Sequence, residues 1–140
     1  YRVWQYQKFG TNAENWAIAG DNADPDRDGI PNLVEYGFDL EPLTASTVGL
    51  PQGVEYDDSG NSYLAIQFNR RLPVSELLYT VQESTNFTDW QIGCQYSDNG
   101  NVLTNAITTD VTTGPLTTVR LNIMISDSQF DFMRVQVNRP

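Results

Sequence analysis

Histidine is absent from the 140 residues, and cysteine and lysine occur once each, as Cys94 and Lys8. Without an imidazole there can be no Ser-His-Asp or Cys-His pair, no histidine acid/base catalysis and no zinc site with a histidine ligand. A single cysteine forms no disulfide within the chain, so a packed core must hold the fold. Only 8 basic residues stand against 18 acidic ones, for a net charge of -10 and a pI of about 4.1. That balance disfavours phosphate backbones and anionic lipid surfaces, which need a basic field. No segment approaches the roughly 20 apolar residues of a membrane span. The expectation is a protein with no nucleic-acid partner and no membrane insertion. It begins at Tyr1 rather than Met, which suggests a mature or trimmed product.

What the chain does have is enough apolar material for a core, 39% hydrophobic and 11% aromatic. Its length fits one compact unit with two parts, an arm and acidic segment over 1–43 and a β-rich body over 44–140. Residues 44–61 carry Pro51, Gly49, Gly53 and Gly60 and read as a long loop with at most one short strand. Beyond them apolar residues alternate: Leu64, Ile66 and Phe68; Tyr79 and Val81; Val119, Leu121, Ile123 and Ile125; Met133, Val135 and Val137. Period-2 patterning of this kind predicts strands with one buried face. The segments 90–96 and 102–107 flank a turn signal at Asp98-Asn99-Gly100. Roughly six or seven short strands at this spacing favour an antiparallel β-sandwich or jelly roll, preceded by a small helical segment.

One motif carries chemistry. Residues Asp24-Pro25-Asp26-Arg27-Asp28-Gly29-Ile30-Pro31-Asn32-Leu33-Val34-Glu35 fit D-x-[DN]-x-[DN]-G-x5-E without a substitution. A calcium ion needs six to eight oxygens at about 2.3 to 2.6 Å, and alternate residues of a tight loop can turn carboxylates toward one centre. On that template Asp24, Asp26 and Asp28 ligate directly, Gly29 permits the turn, and Ile30 offers its carbonyl. Asn32 ligates directly or through water, and Glu35 closes the site from an exiting helix over Pro31 to Tyr36. Gly37 is the expected stop of that helix, with Leu33, Tyr36 and Leu40 facing the sheet. A solvated acidic loop would need no glycine at the sixth position and no glutamate at the twelfth. Pro31 removes the N–H at the eighth position and no second loop exists to pair with, so the expected role of Ca2+ is structural rather than switching.

The runs Lys8-Phe9-Gly10 and Ala23 to Tyr36 resemble a segment found near the C-termini of large secreted bacterial proteins, which reads FG, a spacer, then DPDGDGLPNLLEYALG. Tyr63 to Arg71, and Tyr79 to Ser84 with Trp90 following, resemble strand motifs of the same proteins. The loop itself is similar in style to dockerin and thrombospondin type 3 loops. The resemblance covers most of Phe9 to Trp90 and implies an extracellular or cell-surface calcium-loop module with a β-rich body. It brings no catalytic residues. Arg27 stands where that segment often has Gly, and Gly37-Phe38 replaces its Ala-Leu.

Other residues invite weaker readings. Trp4, Trp16 and Trp90 could form a sugar-stacking platform, although Trp16 packed over the exiting helix and Trp90 plugged between the sheets is the favoured expectation. Cys94 is expected as a buried thiol, with an intermolecular disulfide as the alternative. Arg70-Arg71 suggests a salt-bridging turn, and Asn86-Phe87-Thr88 fits the N-glycosylation pattern. Asp57, Asp58, Asp110, Asp127 and Asp131 could supply a carboxylate pair for glycoside hydrolysis, but their spacing gives no geometry. The nine residues Tyr1 to Phe9 include five apolar or aromatic ones, with Tyr1, Val3, Trp4 and Tyr6 as candidates for homo-oligomeric or head-to-tail assembly. The arm either packs on its own body as a short helix or reaches a neighbour. These features point to a non-catalytic, calcium-stabilised extracellular structural module, a filament subunit or adhesin domain. The alternative is a carbohydrate-binding module.

Overall fold

In a computed structural model, which describes residues 1–71, 76–97, 103–127 and 131–140, the N-terminal arm is helical and packs on its own chain. Helix α1 spans Arg2–Phe9 and ends at Gly10, whose φ of 54° suits a residue without Cβ. Tyr1, Trp4 and Phe9 are buried, while Val3 and Tyr6 remain 70% and 50% exposed. Of the four assembly candidates, two are thus used in this chain's core. Gln5, also buried, donates from Nε2 to the Ala19 carbonyl at 2.5 Å, fastening α1 to the end of α2 (Trp16–Ala19). A 3-10 turn over Gly10–Glu14 joins them, and Asn15 caps α2 by accepting from the Ala17 N–H at 3.1 Å.

Helix α3, Asn32–Phe38, follows the acidic loop. It runs past Gly37 and stops at Asp39, which takes the left-handed conformation (φ 60°). Gly37 serves contact rather than termination: a Cβ there would lie 2.8 Å from Val137 Cγ1. Tyr36 and Phe38 are buried, and Leu33 and Leu40 pack at the margin of the core as expected.

The body is mainly β, with two four-stranded antiparallel sheets. Its strands are β1 (Gln52–Asp58), β2 (Asn61–Phe68), β3 (Leu78–Ser84), β4 (Gln91–Tyr96), β5 (Leu103–Thr104), β6 (Thr108–Asp110), β7 (Thr117–Met124) and β8 (Phe132–Asn138). One sheet has the order β1-β2-β7-β6 and the other β5-β4-β3-β8. Ile66, Phe68 and Val119 of the first share a core with Tyr79, Val81, Cys94 and Tyr96 of the second. Phe68 lies between Tyr79 (centroids 6.1 Å) and Tyr96 (6.3 Å), and Phe38 joins it from α3 at 6.2 Å.

The 44–61 segment carries the one strand allowed for it: β1 pairs with β2 from Gln52↔Gln67 to Asp58↔Asn61, closing a hairpin through Ser59-Gly60. Its residues are mostly exposed, so an edge strand here shows no apolar alternation. In β7 the buried face ends at Leu121, and Ile123 and Ile125 are 45% and 44% exposed, because the opposing sheet no longer covers them. Trp16 is 65% exposed rather than packed over α3, and Trp90 lies against Arg134 rather than between the sheets. The Asp98-Asn99-Gly100 turn and Val102 fall outside the described residues.

Gly37→Ala tests the contact between α3 and β8. Alanine favours a helix over glycine by about 1 kcal/mol, yet a stiff valine 2.8 Å away cannot yield cheaply. The expected net effect is a loss of about 1 to 3 kcal/mol in urea unfolding. Adding Val137→Ala should return part of it, and strictly additive losses would show that the two residues do not meet.

Candidate metal centre

The acidic loop is closed at its base by backbone. The N–H of Asn32 donates to the Ala23 carbonyl at 2.9 Å, and that of Leu33 to the Asp21 carbonyl at 3.0 Å. Between these ties each aspartate gives one oxygen to a backbone N–H within the loop. Asp24 Oδ2 accepts from Gly29 at 3.0 Å, Asp26 Oδ1 from Asp28 at 3.3 Å, and Asp28 Oδ1 from Ile30 at 2.8 Å. These bonds fix the three side chains and turn them inward. Carboxylate oxygens of Asp24, Asp26 and Asp28 lie within 4.8 Å of one another, a group that could hold a metal ion.

Two residues of the loop take left-handed backbone, Arg27 (φ 63°) and Gly29 (φ 89°). A Cβ on Gly29 would meet nothing within 4 Å, so glycine is favoured there by conformation and not by space. Arg27 takes the same conformation (φ 63°) without that freedom, at a position where glycine would be easier. The arginine side chain is exposed and forms no ion pair among the described residues.

Glu35 stands outside the 4.8 Å group but faces the same loop from α3. It is 1% exposed, and its Oε2 has no hydrogen-bond partner among the described residues. Burial, and then the charges of Asp26, Asp28 and Asp24, push its carboxyl up to about 7. Burial likewise raises Asp26, with further contributions from Asp28 and Asp24. Asp24 Oδ1 and Asp26 Oδ2 are also buried and unpartnered. Among the described residues no lysine or arginine pairs with any of these four carboxylates. Buried carboxylate oxygens are rarely left without a partner, because desolvating them costs several kcal/mol.

The remaining loop residues take other parts. Asn32 is fully buried, and its Nδ2 donates to the carbonyls of Ile18 (2.8 Å) and Gly20 (2.9 Å), so it brackets α2 to α3 while Oδ1 is left unpartnered. Ile30 tucks its side chain into the core at 7% exposure, and its N–H supports Asp28. A residue the sequence pattern does not flag is Ser46, whose N–H donates to Asp28 Oδ2 at 2.9 Å and ties the connector after α3 to the loop.

The other candidates are dispersed. Asp58 approaches Arg120 at 3.7 Å, and Asp110 accepts from the Tyr96 hydroxyl at 2.8 Å. Asp127 and Asp131 line a separate cleft of about 520 Å³ with Glu83, Tyr63 and Leu121. Cys94 is fully buried, and burial pushes its thiol up to about 11, which leaves it unreactive. Arg71 pairs with Asp39 at 2.5 Å and donates from Nε to the Tyr36 carbonyl at 2.9 Å, a salt-bridging turn as expected. Asn86 spends its amide on the 86–89 turn, donating to Asp89 Oδ2 at 2.7 Å. No family model, curated protein or solved structure matches the chain. No helix of the described residues is long and apolar enough to cross a membrane.

The raised carboxyl of Glu35 sets a pH dependence for metal-free protein. Its folded value near 7 exceeds the ordinary 4.5, so the folded state holds the proton more tightly between those values. The resulting stability is complete below about 4.5 and is lost as pH rises through 7. In the presence of a chelator, the urea midpoint should therefore rise from pH 8 to pH 5. Glu35→Gln should flatten most of that rise, and an equally steep profile in the variant would assign it to other groups.

Proposed function

We propose that this chain is a non-catalytic structural module of an extracellular or cell-surface protein, held by one Ca2+ in an EF-hand-like loop at the end of a β-sandwich. The observation that carries this is the fully buried Glu35 carboxylate, with one oxygen unpartnered, facing three inward-turned aspartates with no lysine or arginine paired to any of them among the described residues. An oxygen-only set of four carboxylates suits a hard divalent ion. Calcium is preferred to magnesium because the loop offers many protein oxygens at once, whereas magnesium keeps several waters. A divalent ion takes the formal charge of the chain from -10 to -8 and relieves the repulsion within the loop. Asp24, Asp26 and Asp28 ligate by their inward oxygens and Glu35 closes the set. Ile30 contributes its carbonyl, and Asn32 reaches the ion through Oδ1, directly or by way of a water, since its Nδ2 is spent on Ile18 and Gly20.

The role is structural rather than regulatory: Pro31 removes the N–H through which paired loops couple, and these 140 residues carry no second loop of the same pattern. A rigid site of this kind suits calcium-rich surroundings outside the cell. Calcium at a hundredfold excess over Kd should stabilise the protein by about 2.7 kcal/mol. Chelation should lower the melting temperature accordingly, and Asp24→Ala or Glu35→Ala should reproduce most of the loss while removing the response to added calcium. A chelated sample that melts with the calcium form would refute the proposal.

Self-assembly into a filament or adhesive array, if it uses the arm, falls to its outward face, since Val3 and Tyr6 are exposed and Tyr1 and Trp4 are not. Val3→Asp with Tyr6→Asp should abolish assembly seen by light scattering and electron microscopy, at an unchanged melting temperature. Assembly that survives the double variant places the contact elsewhere.

A further inference from the structure

The face of the second sheet that points away from the core carries a cluster the calcium loop does not explain. Met133, Val135 and Val137 pack on the core, so Phe132 and Arg134 lie on the opposite side of β8. Tyr79 and Val81 do the same for β3 and place Gln82 outward, in register with both Arg134 and Ile92. Beside them the 85–90 turn adds Phe87 and Trp90. Phe87 packs on Phe132 with centroids 3.6 Å apart and the rings tilted by 32°, the Arg134 guanidinium lies 4.0 Å over the Trp90 ring, and Arg134 Nε donates to Gln82 Oε1 at 2.9 Å.

Folding gives no reason for the turn that presents this cluster. Phe87 has a φ of 63° and is 62% exposed, so a bulky apolar residue occupies left-handed backbone while its ring stays in water. Asn86 Oδ1 holds the turn by accepting from the N–H of Thr88 (2.9 Å), the Thr88 hydroxyl (2.9 Å) and the N–H of Asp89 (2.8 Å). Trp90 Nε1 closes it on the Phe87 carbonyl at 3.0 Å. Strain held in place by several hydrogen bonds is a feature of sites that bind.

We propose that this face is a carbohydrate platform, on which Phe87, Trp90 and Phe132 stack the pyranose rings of a neutral polysaccharide while Arg134 and Gln82 hydrogen-bond its hydroxyls. Charge supports a neutral ligand: in a chain of net charge -10, the one cation beside the rings, Arg134, stands against Asp89 and Asp131, so nothing on this face favours an anionic sugar. Size supports a sugar over a second protein. Three partly exposed rings at about 150 to 250 Å² each, further reduced by their mutual contacts, offer on the order of a few hundred Å², whereas a stable protein interface takes about 800 Å² per partner. Flat rings with a fixed guanidinium and amide suit the two faces of a sugar, one apolar and one rich in hydroxyls. Arg134 makes no other hydrogen bond among the described residues, so its terminal nitrogens remain available as donors.

The test is native affinity electrophoresis in gels containing hydroxyethyl cellulose, arabinoxylan, laminarin or galactomannan. The expected result is retardation by at least one of them. Phe87→Gly should weaken it tenfold or more, at a melting temperature equal to or above the parent's because glycine relieves the left-handed strain; Phe87→Asn serves as the second such variant. Trp16→Ala, which removes an exposed ring elsewhere, should retain binding. No retardation in any gel, or retardation undiminished in both Phe87 variants, overturns the proposal. So does concentration-dependent self-association by sedimentation that the Phe87 variants abolish, which would assign the face to a second copy of the chain.

Discussion

Glu35 and Tyr36 are neighbours in one turn of α3 and look into opposite surroundings, and the helical layer is organised around that juxtaposition. The Tyr36 ring lies 4.9 Å from Tyr1 and 5.2 Å from Trp4, while the Glu35 carboxylate faces the aspartates of the loop. The apolar contacts hold α3 against α1 and the sheets and so oblige Glu35 to stay buried. A carboxylate free to swing into water would avoid the repulsion. One anchored by its neighbour's packing cannot, and the loop must meet that charge with a proton or a cation.

From α3 the constraint passes to the sheets by short links. Tyr79 of β3 donates its hydroxyl to the Gly37 carbonyl at 2.5 Å, and Arg71 reaches the Tyr36 carbonyl while its guanidinium stacks on the Tyr36 ring at 4.4 Å. The connector is tied twice, by Ser46 to Asp28 and by the Lys8 ion pair with Glu41. Neutralising the loop therefore restrains α3, the connector and the start of β1 together. Of these, the connector and β1 are largely exposed, and exposed segments are where local opening is easiest.

The sequence made some of this legible and hid the rest for reasons that can be named. Loop residues are spaced along one short stretch, so Asp24, Asp26 and Asp28 converge as the pattern requires. Strands with a covered face, such as the one holding Ile66 and Phe68, announce themselves by alternation. β1 does not, because an edge strand exposed on most positions has no apolar face to display. Ile123 and Ile125 continue an apolar period past the point where the opposing sheet covers it, and periodicity contains no information on where a partner ends. Gly37 reads wrongly as a helix stop for a related reason. A glycine near a helix end suits termination, and only the position of Val137, a hundred residues later in the chain, shows that it is there for contact. The outward position of Trp16 and Trp90 also depends on contacts between distant segments.

The helical layer raises a question of size that the sheets do not. Units of about 40 residues seldom hold together on their own apolar contacts and use disulfides, metals or association with a larger body. Residues 1–43 are of that size, and one buried cysteine excludes an internal disulfide. Docking on the sheets through Tyr36 and Phe38 supplies part of the restraint. The cation proposed for the aspartates would supply another part, at the point where the docked helix carries an uncompensated charge. The two restraints act through adjacent residues of the same short helix, about 100° apart around its axis, so neither substitutes for the other. Without a cation α3 stays docked with a carboxyl that must take up a proton, whereas removing the aromatic contacts would free Glu35 to reach water and turn it away from the aspartates.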